Sequence, residues 1–413
     1  MKNLLRPVGV AVMFLMISWS AGIMAKEIVI GYTGPLSGPA AEYGQENLNG
    51  IDMAVKELNA AGGIRIKGER YFFKLINMDD RTDPTQAVNN ARRFRNQNNA
   101  IAVFSPVFTC IAPIMNINEE KGNEFLVMAY TSTPKLTHMN NKLMVAIPPP
   151  FTVYVHAFSD LAWKQGWRRA AMLITLGAYG DQWRKTFKDY WEKIGGTLTT
   201  DKPANYYKET DFSSQLTAIM ATKPQLMVIG GPSAPTALVI EQARAMDYKS
   251  GFILIEQARA DYVKKILKGT RLMENVIGQG AVDSLPFTAA HSFHRRYNRV
   301  YKLAATLGTV QNYNGMHALA RAIKAAGSAD NVFAIRAAFS KVFPMLGNKF
   351  PAEMLGISDA GGIRSFSYVQ IVKGGKFSKP AVFCWWPKTK YEFNQVKKMT
   401  KCYLPLKWIK IEE

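Results

Sequence analysis

Three consecutive prolines, Pro148-Pro149-Pro150, interrupt a chain that otherwise alternates short apolar runs with amphipathic segments. Proline fixes φ and lacks an N–H donor, so such a run continues neither a helix nor a central strand. Before it, strand-like runs at 27–30, 71–77, 101–104 and 125–128 alternate with helical patterns at 49–59 and 85–94. Gly62-Gly63 is expected to stop the first helix. After it the alternation restarts: helix 154–165, strand 169–174, helices 183–194 and 212–220, strand 225–229, helix 235–246 and strand 252–255. Regular alternation of this kind predicts parallel sheets flanked by helices, here as two α/β units with a crossover at the prolines. Strand-like 275–282 and helices near 289–306 and 313–326 follow. The sequence of 413 residues is long enough for two cores.

The first 25 residues differ from the rest. Lys2 and Arg6 precede an apolar run from Val8 to Ile23, and Ala25 offers a small residue before Lys26. This is the layout of a secretory signal cleaved near Ala25; an uncleaved membrane anchor is the alternative reading. The mature protein is then expected outside the cytoplasm, in an oxidising compartment. Of the three cysteines, Cys384 and Cys402 bracket a short tail and are expected to pair, with Cys110 a buried thiol; three unpaired buried thiols are the alternative. The formal net charge of +21 favours anionic partners. The basic residues are spread along the chain and no nucleic-acid-binding motif occurs, which points to a solvated basic surface rather than nucleic acid.

Catalytic patterns are thin. His291 and His294 lie three apart with no third ligand at suitable spacing, and there is no G-x-S-x-G, H-E-x-x-H or P-loop, so neither an enzyme nor a bound cofactor or metal is expected. What the chain does have is polar turns beyond strand ends, where open α/β sheets bind ligands. GYTGPLSGPAAEYG at 31–44 carries Tyr43; Phe108-Thr109-Cys110 and Tyr130-Thr131-Ser132 follow the next strands; Tyr179-Gly180-Asp181 and Gly230-Gly231-Pro232-Ser233 occupy the same place in the second unit. The hexapeptide IEQARA occurs at 240–245 and again at 255–260. Its second copy directly follows a strand, which sets Glu256 at a strand end as a carboxylate in need of a partner.

Taken together, GPLSGPAAEYGQENLNGIDMAVKELNAAGGI at 34–64, DDRTDPTQAV at 79–88, STPKLT at 132–137, AYGDQW at 178–183, the DFSSQL segment at 211–216 and GGPSAPTALVIEQARAMDY at 230–248 resemble the type I periplasmic solute-binding proteins of the branched-chain amino acid family of ABC importers. The resemblance runs from about Lys26 to about residue 375. It implies two doubly wound parallel-sheet lobes joined by three crossovers, with 26–147 and about 278–353 in lobe one, and 148–277 and about 354–413 in lobe two. It implies a monomer that captures an amino acid between its lobes and delivers it to a membrane permease. A sensor for an amide or aromatic carboxylate, passing closure to a separate signalling partner, is the alternative. By position, Tyr43, Thr109, Cys110, Tyr130 and Ser132 would face Tyr179 and Glu256 across the cleft, with Glu256 on the ligand's ammonium. Phe-Thr-Cys, Tyr130 and Pro232 depart from the family pattern, so the resemblance does not carry leucine specificity with it.

Overall fold

The computed structural model describes residues 26–400 and 406–411; the expected signal segment and Cys402 lie outside the described residues. The first sheet is built from β1 (Lys26–Gly34), β2 (Ile64–Ile66), β3 (Glu69–Asp79), β4 (Ala102–Ser105), β5 (Leu126–Ala129) and β6 (Met144–Ala146), in the order β2-β3-β1-β4-β5-β6. All its neighbours are parallel except the β2–β3 hairpin. Helices α1 (Ala41–Ala60), α2 (Pro84–Asn98) and α3 (Phe108–Met115) connect them. The α2 start is fixed locally, because the Asp83 side chain accepts from the Thr85 and Gln86 N–H groups and Pro84 opens the helix. Its end is an Asn99 in left-handed conformation.

Pro150 is the N-terminal boundary of α4 (Phe151–Lys164), which begins the second lobe. There follow β7 (Arg169–Ile174), α5 (Ala178–Lys193), β8 (Thr197–Asp201), α6 (Ser213–Ala221), β9 (Leu226–Gly230), α7 (Ser233–Ala245), β10 (Gly251–Leu254), α8 (Ala260–Ile266) and β11 (Val276–Gln279). The chain then returns to the first lobe with α9 (Thr288–Tyr301), α10 (Leu307–Ala326) and α11 (Val332–Ala338); α10 packs along α1, and Phe293, Tyr313 and Ile323 share a core with Ile51. The hairpin of β12 (Met354–Ile357) and β13 (Ile363–Ser365) comes next, then β14 (Ser367–Lys373), β15 (Lys376–Phe377), β16 (Ala381–Cys384), α12 (Lys390–Thr400) and β17 (Leu406–Trp408). The second sheet runs β17-β16-β14-β11-β10-β9-β7-β8, with β15 paired on β14. The chain thus passes between the lobes three times, after Ala146, after Gln279 and between Ser365 and Ser367. Residues 354–365, assigned to lobe two from sequence, sit instead beside the first sheet, where Gly362 bridges Ala146.

Two glycines set the helices that face the cleft. An ideal Cβ on Gly44 would lie 1.7 Å from the Pro35 carbonyl oxygen, and one on Gly180 would lie 1.8 Å from that of Thr175. In each lobe, therefore, the loop carbonyl packs directly on the first turn of the following helix, and only a residue without a side chain fits. Tyr43 and Tyr179 immediately precede these glycines. α1 consequently begins at Ala41, earlier than the apolar periodicity at 49–59 suggests, because Gly44 and Gly50 fall inside it.

Candidate functional site

Tyr43, Tyr130, Ser132, Tyr179 and Glu256 meet around one cavity between the lobes, of about 60 Å³. Pro106, Phe108, Tyr154, Tyr207, Gln257, Arg259 and Gln279 complete much of its wall. Tyr43 and Tyr130 come from lobe one; their rings lie 6.4 Å apart, and the Tyr43 hydroxyl donates to the Pro106 carbonyl at 3.0 Å. Thr109 and Cys110 do not join them. The residues expected to form a turn are the first turn of α3, which points Phe108 at the cavity, leaves Thr109 exposed and sends Cys110 into the core with Ala87 and Phe94. Burial pushes the Cys110 thiol well above its ordinary range, so it is a packing group. Cys384 is buried on β16; its expected pairing with Cys402 involves a residue outside the described ones.

Glu256 follows β10 and is 5% exposed. Its Oε1 accepts from the Ser132 hydroxyl, across the cleft, and from the Tyr179 hydroxyl at 2.5 Å; its Oε2 accepts from the Trp183 indole N–H at 2.7 Å. Three donors on one carboxylate cover most of its roughly four lone-pair sites. Trp183 sits in a ladder, with Phe187 and Trp191 one turn apart on the same face of α5 and ring centroids at 6.3 and 5.4 Å. Helical spacing marks such a row as core, which is why its hydrogen-bonding edge escaped the sequence reading.

Arg259, also unmarked by that reading, is 3% exposed. Its guanidinium pairs with Glu46 of lobe one at 2.9 Å, donates to the Tyr130 hydroxyl at 3.3 Å and lies 4.9 Å from the Tyr43 ring centroid. It also donates to the Glu256 and Gln257 carbonyls, while its buried Nε–H has no partner among the described residues. Thr306 caps α10 and donates to the other Glu46 oxygen at 2.8 Å. The second IEQARA copy therefore supplies Glu256, Gln257 and Arg259 together. In the first copy Arg244 spends its donors on the carbonyls of Tyr248, Ser250, Leu272 and Glu274, as loop structure.

Around Arg259 the carboxyls outnumber the cation. Burial, reinforced by the Glu46 charge, pushes Glu42 up to about 9 and Asp261 up to about 7; Arg259 opposes both, Lys265 opposes the first and Asp283 adds to the second. Burial raises Glu46 as well, against Arg259 and the Thr306 hydroxyl. A carboxyl raised by folding holds its proton in the native state after the unfolded chain has released it, so its contribution to stability is lost as pH rises toward the folded value. Stability is expected to fall from about pH 4 to about pH 7 through Asp261, and on to about pH 9 through Glu42. Urea midpoints across that range should show the slope, and the Glu42→Gln/Asp261→Asn double variant should reduce it, leaving the part contributed by Asp80 and Glu353, which burial raises to about 6 and about 7. An unchanged slope in the variant would show that the cluster does not control it.

Residues 27–376 match the family model described as periplasmic binding protein. The chain belongs to the periplasmic binding protein family. Among curated members, the Leu/Ile/Val-binding protein of Escherichia coli K12 is 25% identical over 244 residues, covering 57% of this chain and 63% of that protein. The Leu/Ile/Val-binding protein BraC3 of Rhizobium johnstonii is 29% identical over 225 residues, 52% of this chain and 58% of the relative. The matches thus span less than two thirds of those relatives' lengths. Among solved structures, the leucine-binding protein LivK of Thermotoga maritima superposes with a TM-score of 0.73 at 22% identity, over 86% of this chain and 98% of that one. An ABC-transporter solute-binding protein of R. palustris in complex with benzoate gives 0.73 at 17% identity, over 85% and 95%. These likenesses establish the type I periplasmic binding protein fold. Among the described residues of this family member, no helix is long and apolar enough to cross a membrane.

Proposed function

We propose that this periplasmic binding protein is the extracytoplasmic receptor of an ABC importer. It captures an amino acid, branched-chain or related, between its lobes and hands it, without chemical change, to a membrane permease. One observation carries the reading: a buried anion, Glu256, and a buried cation, Arg259, line the same interlobe cavity, the pairing a zwitterion requires. An α-ammonium would compete with the Ser132 and Tyr179 hydroxyls for Glu256, and a carboxylate would meet Arg259 and the Tyr43 and Tyr130 face. At roughly 10–15 Å³ per water, a cavity of about 60 Å³ holds only a few waters, so the ligand is small or the lobes part further to admit it. Curated relatives named for leucine, isoleucine and valine support the amino-acid class.

A second reading has its own observation. The cavity is ringed by Tyr43, Phe108, Tyr130, Tyr154, Tyr179 and Tyr207, and Glu256 already accepts from three neutral donors. That chemistry suits an aromatic carboxylate or amide that needs no ammonium partner. A thermal-shift screen of amino acids, amides and aromatic carboxylates separates the two, since a ligand at about 100 times its Kd adds about 2.7 kcal/mol. Stabilisation by no amino acid sinks the first reading. With a stabilising amino acid in hand, Glu256→Gln is expected to weaken binding by about 1.5–3 kcal/mol, the value of a charged hydrogen bond. Unchanged affinity by calorimetry would make Glu256 structural.

A further inference from the structure

A second cavity, of about 440 Å³, lies against the crossovers. It shares Thr131, Ser132 and Pro148 with the interlobe cavity but is walled on the lobe-one side by 133–138 and 358–364, and on the lobe-two side by Thr152 and the tail residues Trp385, Trp386, Lys388 and Ile411. Those tail residues lie beyond the stretch that matches the family model. The two indoles hold the third crossover: Trp385 Nε1 donates to the Ser365 carbonyl at 2.9 Å, and Trp386 stacks on Phe366 with centroids 5.5 Å apart and planes 24° from parallel. Arg364 and Lys388 bring cations to the wall; among the described residues neither side chain has an ion-pair partner, and Asp359 is the one carboxylate lining it.

We propose that this hinge cavity is a second binding site, for a small anion with a flat apolar body, of the aromatic carboxylate class. The indoles supply a face for the ring, and Arg364 and Lys388 supply charge for the carboxylate. A volume of about 440 Å³ falls within the roughly 300–1,000 Å³ typical of small-molecule sites. Because the wall is drawn from both lobes and from two crossovers, the fit depends on the angle between the lobes. An occupant therefore biases that angle, and the interlobe ligand and the hinge ligand alter each other's affinity by the same factor.

The test titrates the full-length protein with 2-naphthoate and follows tryptophan emission. Saturable quenching is expected, weakened about tenfold or more in Arg364→Ala/Lys388→Ala and in Trp386→Ala, and still present in Glu256→Gln. The double variant leaves the indole packing intact, so it decides the matter if Trp386→Ala folds poorly. Quenching that survives the double variant, or that disappears in Glu256→Gln, places the probe in the interlobe cavity and overturns the proposal. An absence of saturable quenching overturns it too. Small-angle scattering of the naphthoate-saturated protein is expected to show a changed radius of gyration in the wild type but not in the double variant; identical profiles with and without saturating probe refute the control of lobe angle.

Discussion

Arg259→Met is expected to cost about 3–5 kcal/mol of closed-state stability, read as a loss of about two to three and a half orders of magnitude in affinity for the ligand returned by the thermal screen. The reasoning is electrostatic. Methionine fills part of the space but leaves Glu46 buried, opposite a lobe that no longer carries its cation, with Glu42 and Asp261 beside it. An ion pair this well buried adds little net stability, because desolvation consumes most of the Coulombic gain; the large effect comes from stranding one partner. The double variant Glu46→Gln/Arg259→Met should accordingly recover much of the loss, and calorimetry on the three variants gives the coupling energy directly. A single variant within a few-fold of wild type would mean that the lobes do not meet through this pair when ligand binds.

Trp183→Ala is expected to destabilise the second lobe by about 3–5 kcal/mol, as removal of a buried aromatic from a packed ladder does. Trp183 is fully buried among Phe151, Phe158 and Phe187, at centroid distances of 6.0, 6.5 and 6.3 Å. Trp183→Phe separates packing from hydrogen bonding: the ring stays, and the N–H to Glu256 goes. Its stability should fall by less, while ligand affinity should drop by about 1.5–3 kcal/mol because the carboxylate loses a positioning donor. Urea denaturation of both variants, with ligand titration of the second, checks this. Unchanged affinity in Trp183→Phe would assign Trp183 to packing alone.

Much of the architecture was legible because periodicity and punctuation agree: Asp83-Pro84 opens α2 where the sequence suggests, and Pro148-Pro149-Pro150 marks the first crossover. β8 was missed because Thr197–Asp201 is a partly exposed edge with no apolar run to announce it. Glu256 was legible for a local reason, its place immediately after an apolar strand. Arg259 was not, since what gives it meaning is Glu46, a residue of the other lobe that no spacing rule brings near. Thr109 and Cys110 went astray because the α3 boundary lies at Phe108: a shift of one or two residues at a helix start rotates a side chain from the cleft to solvent or to the core. The tail tryptophans carried no signal beyond composition, because their partners are the backbone of Ser365 and the ring of Phe366.

The packing of Gly44 on Pro35 and of Gly180 on Thr175 has a practical meaning for redesign. Tyr43 and Tyr179 are registered to the cavity by a backbone-on-backbone seat, not by the side chains of the loops that lead to them. Leu36, Ser37 and Pro39, which are partly or fully exposed, can thus be exchanged to reshape the mouth of the cleft, with Gly38 kept for its left-handed φ of 75°, while the aromatic walls behind it keep their place, so access and recognition become two separately editable properties of one protein.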